Sequence, residues 1–495
     1  MKYLNVKRLK RTSTKEVRSL LEDTIGMTFS GSSDIKDTIL GVVFLTGYIT
    51  AADLSYYLGM PENSFKSLHR QLDDLVKGKY LAQIGLDGKD GMSKVLYYTT
   101  ELGFMAAASF MSKPFYFSYK RRGKAATTIH DYSNGLNALQ LLLYGTPFCW
   151  SREVTYSSSG NGKKHLGTLC IDGIVDFYES GKRIFFEEDL GNETIATLLG
   201  KLSKYKAYGL LDEPAKTSLI YSMRKPYITA DSPSFLAFSP QNIDSLIKYM
   251  SCGKKTLNEA ILSLKEEKSP LYDVAKSLSD IYSSLGIESK ATVYTLESYK
   301  TDLEELKLDE RVCVINKVQD TFCKSRMRSL AGLLYKKYRS DFSIDADYIR
   351  NLLQGYSAYF IPTPLIASYL PFIELKESGL AYSIYELLKA EYKGLSPFNG
   401  SPLFLDDKKD LVLKNMATFD SGRVAVEYAG RDVGAIIRLI RFMETDYKDV
   451  QMICLVDDSS DVFFIKNVLM EGHGRYDNIR FLLIEPLKLG TLKWI

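Results

Sequence analysis

Apolar residues between Asp34 and Leu45 recur at the three- and four-residue spacing of a helix, and Gly47 ends the run. Thr50 stands where an N-cap would open a second helix over 51–58, and Gly59-Met60-Pro61 breaks that helix before a third begins at Glu62. To about Lys77 this third helix places Phe65, Leu68, Leu72, Leu75 and Val76 on one face and turns Asn63, Ser64, Lys66, Ser67 and Arg70 outward near its start. Gly78 stops it, and two short strands, 81–84 and 95–99, bracket the turn-rich stretch 85–93. Three helices followed by a hairpin predict a winged helix-turn-helix over 33–110. Small polar and basic side chains at the start of the third helix suit base edges in a major groove, with Lys89 and Lys94 of the wing on phosphates. The same fold also serves as a protein-docking module, so the pattern leaves both uses open.

A second unit opens near His130 with a helix that turns Leu136, Leu139 and Leu143 inward. Strand-like runs follow at 149–156, 168–177 and 183–188, then a helix over 192–208, which together predict a small α/β unit over 125–235. Helical periodicity dominates 240–393, broken by an expected loop at Phe360-Ile361-Pro362-Thr363-Pro364. The segment 394–495 alternates again: strands at 410–415 and 423–428, a helix over 433–444, and apolar strands at 452–456 and 479–484. The stretches beginning at Arg183 and Arg423 share element order and hydrophobic spacing, which sets Glu187 on Glu427 and Asp189 on Ala429. A degenerate second copy of the α/β unit accounts for this; chance likeness of two amphipathic strand-helix units is the alternative.

The chain of 495 residues, 45% hydrophobic and 25% charged, has length for three or four separately cored units. A net charge of +4 assigns any nucleic-acid affinity to local patches. One such patch is the basic arm expected over 1–32, where Lys2, Lys7, Arg8, Lys10, Arg11, Lys15 and Arg18 face the single acid Glu16 within the first eighteen positions. Six scattered cysteines form no zinc-type spacing and read as reduced thiols, and the absence of a signal-like or spanning apolar run points to the cytoplasm and away from a membrane. Phosphate-loop, HExxH and nucleophile-elbow motifs are missing from the sequence.

One constellation has chemical content. Asp172 lies in a strand-like run, Glu187 and Asp189 alternate at the end of the next, and Lys201 lies on the helix after it. Pairing of the two strands would let Asp172, Glu187 and Asp189 converge as hard oxygen ligands for Mg²⁺ or Mn²⁺, with Lys201 stabilising charge developing on a phosphodiester. Acids at strand ends and lysines on helix faces are also ordinary solvated residues, and His130 reads as a hydrogen-bond partner at a helix start. The residues themselves are compatible with a Mg²⁺-dependent nuclease and equally with ordinary solvated side chains.

In order, the segments GYITAADLSYYLGMPENSFKSLHRQLDDLVKGKYL, LYYTTELG, HDYSNGLNALQLLL, IDGIVDF, FFEEDLGNE and KLSKYKAY resemble the replication-relaxation family of plasmid and other mobile-element proteins. The resemblance covers about 34–208. It implies a winged helix fused to a domain similar to the PD-(D/E)xK nuclease fold. It also implies an Asp of a Pro-Asp step at Asp172, a Glu-x-Asp at Glu187 and Asp189, a Gly-x-Glu at Gly191 and Glu193, and the helix lysine at Lys201. Ile171 replaces the usual proline, and the Glu-x-Asp at Glu187 and Asp189 is not Glu-x-Lys, so an active nuclease needs its lysine supplied from the helix. The expectation is a sequence-specific protein on double-stranded DNA, acting in replication, transfer or their control, with itself or other replication or transfer proteins as further partners. A metal-dependent endonuclease or nickase, and a docking scaffold, are the alternatives.

Overall fold

The computed structural model describes residues 13–29, 35–58, 65–87, 93–113, 115, 128–157, 167–191, 193–213, 216–224, 240–253, 256–269, 271–272, 275–276, 279, 319–320, 322–334, 357–373, 379–399, 403–404, 412–443, 447–469 and 477–495. It is a mixed α/β structure with several sheets.

Part of the segment expected as a basic arm is a folded helix. Ser13 and Glu16 form a reciprocal capping box that opens α1 (Thr14–Ile25), so Lys15 and Arg18 lie on a folded helix. Val17, Leu21 and Ile25 of α1 are buried, and Arg18 stacks over the Phe29 ring. Residues 1–12 lie outside the described residues.

Next come α2 (Ile35–Thr46), β1 (Ile49–Thr50), α3 (Ala51–Tyr57), α4 (Phe65–Lys77), β2 (Leu81–Asp87), β3 (Ser93–Thr99) and α5 (Glu101–Ala108). The short β1 pairs with β3, and β3 with β2, giving an antiparallel sheet of order β1-β3-β2. Thr50 caps α3 as expected, its Oγ1 accepting from the Asp53 amide at 3.0 Å.

α6 (Thr128–Tyr144) is buried nearly all round because it lies between this unit and the next. It approaches α2 closely enough that a Cβ on Gly135 would sit 2.0 Å from the Thr46 carbonyl oxygen. Then follow β4 (Phe148–Tyr156), β5 (Leu169–Phe177), β6 (Arg183–Asp189), α7 (Ile195–Ala207) and β7 (Thr217–Met223). Beyond α8 (Pro240–Gly253), α9 (Leu257–Glu266) and helical residues 322–334, the expected loop at Phe360–Pro364 is instead β8 (Ala358–Pro362) and a 3₁₀ turn. β8 pairs parallel with β7 and completes a sheet of order β4-β5-β6-β7-β8, antiparallel across the first three strands and parallel across the last three. All five β8 residues are buried, so the strand carries no alternation, the signal by which a half-buried strand is recognised.

The remainder is α10 (Ile366–Ile373), α11 (Gly379–Leu388), the small pair β9 (Leu403–Phe404) and β10 (Val412–Leu413), then β11 (Met416–Phe419), β12 (Gly422–Glu427), α12 (Val433–Met443), β13 (Val450–Val456), α13 (Ser459–Phe464) and β14 (Ile479–Leu483). Here β11 is antiparallel to β12, while β12, β13 and β14 run parallel. Hairpin, helix, parallel strand, parallel strand is thus the order of both β5-β6-α7-β7-β8 and β11-β12-α12-β13-β14.

Separately cored units were expected, but the buried apolar residues form two clusters that each cross the expected boundaries. One runs from Val17 through Leu136, Phe186, Ile361 and Tyr428 to Leu487; the other joins Ile171 and Leu198 to Met327, Phe360, Ile437 and Phe481. Among the described residues no helix is long and apolar enough to cross a membrane. Of the described cysteines, Cys149, Cys323 and Cys454 are buried and Cys170 and Cys252 exposed, all as free thiols.

Candidate functional site

Two places carry the candidate residues. On α4, Leu68, Leu72 and Leu75 are buried at helical spacing and anchor the helix, while Lys66, Ser67 and Arg70 are exposed on its first half. Further along, Lys36 of α2 pairs with Asp74 at 3.1 Å at the surface between the two helices. Asn63, Ser64 and Lys89 lie outside the described residues, and Lys94 lies on β3 with its side chain outside them.

α3 is clamped to the α/β unit. Asp53 accepts from Tyr132 of α6, from Thr50 Oγ1 at 2.7 Å and from Arg224 Nη2 at 3.5 Å, and Gln140 of α6 donates to the Tyr57 hydroxyl at 2.9 Å. Arg224 is buried and lies 4.9 Å from the centre of the Tyr132 ring, so this carboxylate is held by a cation as well as by hydroxyls.

The acids lie at the other side of α6. Gly173 pairs with Phe186, and the next step of that register sets Asp172 beside Glu187. Alternation along β6 sends Glu187 and Glu188 to opposite faces. Glu187 is buried and accepts from Lys201 Nζ at 2.7 Å and from the Tyr205 hydroxyl at 2.6 Å, both on α7. Glu188 accepts from Ser133 (2.5 Å) and Asn137 (3.1 Å) of α6 and from Ser222 of β7 (2.6 Å). Asp172 takes the Glu188 amide at 2.8 Å and His130 Nε2 at 3.3 Å, the helix-start role expected of that histidine.

Burial, then the charge of Asp172, lifts the Glu187 carboxyl to about 7. Burial likewise lifts Glu188 to about 7 against its hydrogen bonds, and the bond to Asp172 lifts His130 to about 9.

Asp189 does not join the other two as a third ligand. Its Oδ1 accepts the Gly191 amide at 2.7 Å, and its Oδ2 meets Arg326 Nη2 at 2.7 Å; Arg326 also donates to the Glu193 carbonyl. Lys201 is shared with Glu193 at 2.7 Å. Among the described residues no three His, Cys, Asp or Glu side chains are grouped so as to hold a metal ion. The expected triad Asp172, Glu187 and Asp189 therefore does not fit Mg²⁺ or Mn²⁺ in this arrangement. The positive charge beside these acids comes from the chain itself, Lys201 at Glu187 and Arg326 at Asp189.

The second α/β unit repeats the frame with different chemistry. Met416 pairs with Ala425, and the same register sets Lys414 beside Glu427, where the first unit has Asp172 beside Glu187. Glu427 is held by Arg438 of α12 through Nε at 3.0 Å and Nη2 at 2.7 Å, and Arg438 reaches Asp432 at 2.9 Å. No family model, curated protein or solved structure matches the chain.

Arg326 and Tyr205 are the functional neighbours that sequence reasoning missed. Tyr205 had a signal, since it follows Lys201 by one helical turn and so shares its face. Arg326 had none, because 137 residues separate it from Asp189.

Proposed function

We propose that the protein binds double-stranded DNA in a sequence-specific manner and serves a plasmid or other mobile element in replication, transfer or their control. In this reading α2, α3, α4 and β1–β3 form a winged helix-turn-helix, and α6, β4–β8 and α7 form a unit similar to the PD-(D/E)xK fold used for assembly. The observation that carries it is the exposed Lys66, Ser67 and Arg70 on the first half of α4, in a unit whose sheet order is β1-β3-β2. A helix N-terminal half of this character is what a major groove admits, and in this reading the hairpin β2–β3 is the wing that meets phosphates.

Electrophoretic binding to DNA from the protein's own upstream region and from the element's origin tests it. Retarded complexes that survive a large excess of unrelated duplex are expected, with affinity falling steeply with salt. Equal affinity for all duplexes would defeat sequence specificity, and no binding at low salt would defeat the reading altogether.

A metal-dependent nuclease draws support from the adjacency of Asp172, Glu187 and Lys201. The pairing of Asp189 with Arg326 favours a non-catalytic role over it.

A further inference from the structure

We infer that the strand-end charge clusters of the two α/β units are internal sockets, filled by the chain's own groups, that bolt distant segments onto each sheet. In the first unit the inserted piece is helical residues 322–334. Arg326 from that helix sits on Asp189 at 2.7 Å and on the Glu193 carbonyl, and the Phe322 ring lies over Gly191, whose added Cβ would be 3.2 Å away. Lys201 closes the remaining acids Glu187 and Glu193, both at 2.7 Å.

In the second unit the inserted piece is β8, a strand of the first sheet. Asp432 Oδ1 accepts the Ala358 amide at 2.8 Å, Arg431 Nη1 donates to the Phe360 carbonyl at 3.3 Å, and Lys414 Nζ donates to the Tyr359 hydroxyl at 2.8 Å. Arg438 holds Glu427 and Asp432 together behind this contact.

The same helix spans both units. Lys324 and Arg328 reach Asp461 at 3.1 and 2.8 Å, with Lys324 also 3.2 Å from Asp457 and 2.9 Å from Asp458. Each carboxylate therefore has a cation or amide partner supplied by the chain itself. An added ion would have to compete with a cation already in place, Arg326 at Asp189, Lys201 at Glu187 and Glu193, and Arg438 at Glu427 and Asp432.

The inference rests partly on the non-catalytic reading of the first unit but not on DNA binding, and it is tested on the full chain by hydrogen exchange and melting. Arg326→Gln should raise amide exchange in 322–334 and 189–194 by at least about tenfold while sparing 358–362. Arg438→Gln should do the reverse, raising exchange in 358–362 and sparing 322–334; if it fails to fold, Asp432→Asn, which keeps the side-chain shape, replaces it. Millimolar MnCl₂ should leave the melting temperature of the wild-type chain unchanged. Saturable stabilisation by Mn²⁺ would overturn the inference, as would Arg326→Gln with unaltered exchange in 322–334. Absence of a DNA complex would defeat the proposed function and leave these readouts untouched.

Discussion

Lys414 shows how much a single side chain can commit. It is 4% exposed, and burial in company with the Arg438 guanidinium lowers its ammonium from the usual 10.5 to about 8. Because the folded value lies below the unfolded one, the unfolded chain binds more protons between pH 8 and 10.5, and this residue's contribution to stability rises with pH across that window. The limit is about 3 kcal/mol, from 1.36 kcal/mol per pKa unit. Urea unfolding of the wild type and of Lys414→Met at pH 7.5 and pH 10 measures it: the wild type should gain on the variant with rising pH, and parallel curves would refute the assignment. On α4, Arg70 is exposed and off the buried face, so Arg70→Ala should leave the melting temperature within about 1 °C and weaken cognate DNA binding by about 1 to 3 kcal/mol with relaxed preference at one position. Competition binding against single-base variants of the site reads both effects.

Among elements, α1 corrects the expectation of a basic arm over 1–32 and divides it into testable parts. Val17, Leu21 and Ile25 are buried, each contributing about 1.5 to 3 kcal/mol, whereas the lysines and arginines up to Arg11 precede the capping box. Deleting 1–12 should lower non-specific DNA affinity at unchanged melting temperature, and deleting 1–25 should lower the melting temperature or abolish folding; equal stability of both truncations would place α1 outside the core. Elements with alternation or helical spacing were legible in the sequence to within a few residues. Strands expected at 149–156, 168–177 and 183–188 appear as β4, β5 and β6, and the helix expected over 192–208 as α7. β8 was illegible for the opposite reason: a strand buried on both faces, ending in a proline, looks like an interruption within helical sequence. The candidate site was half legible. Register and alternation bring Asp172, Glu187 and Lys201 together and send Glu188 the other way, but no local rule announces that Asp189 is taken by Arg326.

At the scale of the whole molecule, β8 decides whether the chain is divisible. β7 is buried along most of its length because β6 and β8 flank it, so removing everything from residue 357 onward would leave an apolar parallel strand as a bare edge. It would also strip Tyr428, Leu455 and Leu482 from the core that reaches back to Val17 and Leu136. A fragment of residues 1–356 should therefore aggregate or elute as a large oligomer in size-exclusion chromatography, and co-expression with 357–495 should recover a defined complex. The intact chain should unfold with coincident far-ultraviolet and tryptophan transitions, since Trp150 lies in the first sheet and Trp494 against the last strand of the second. A monomeric 1–356 fragment that melts like the parent would mean that the shared core contributes little and that the second α/β unit is an appendage. Aggregation relieved by 357–495 would trace the dependence to β8, which that partner restores beside β7.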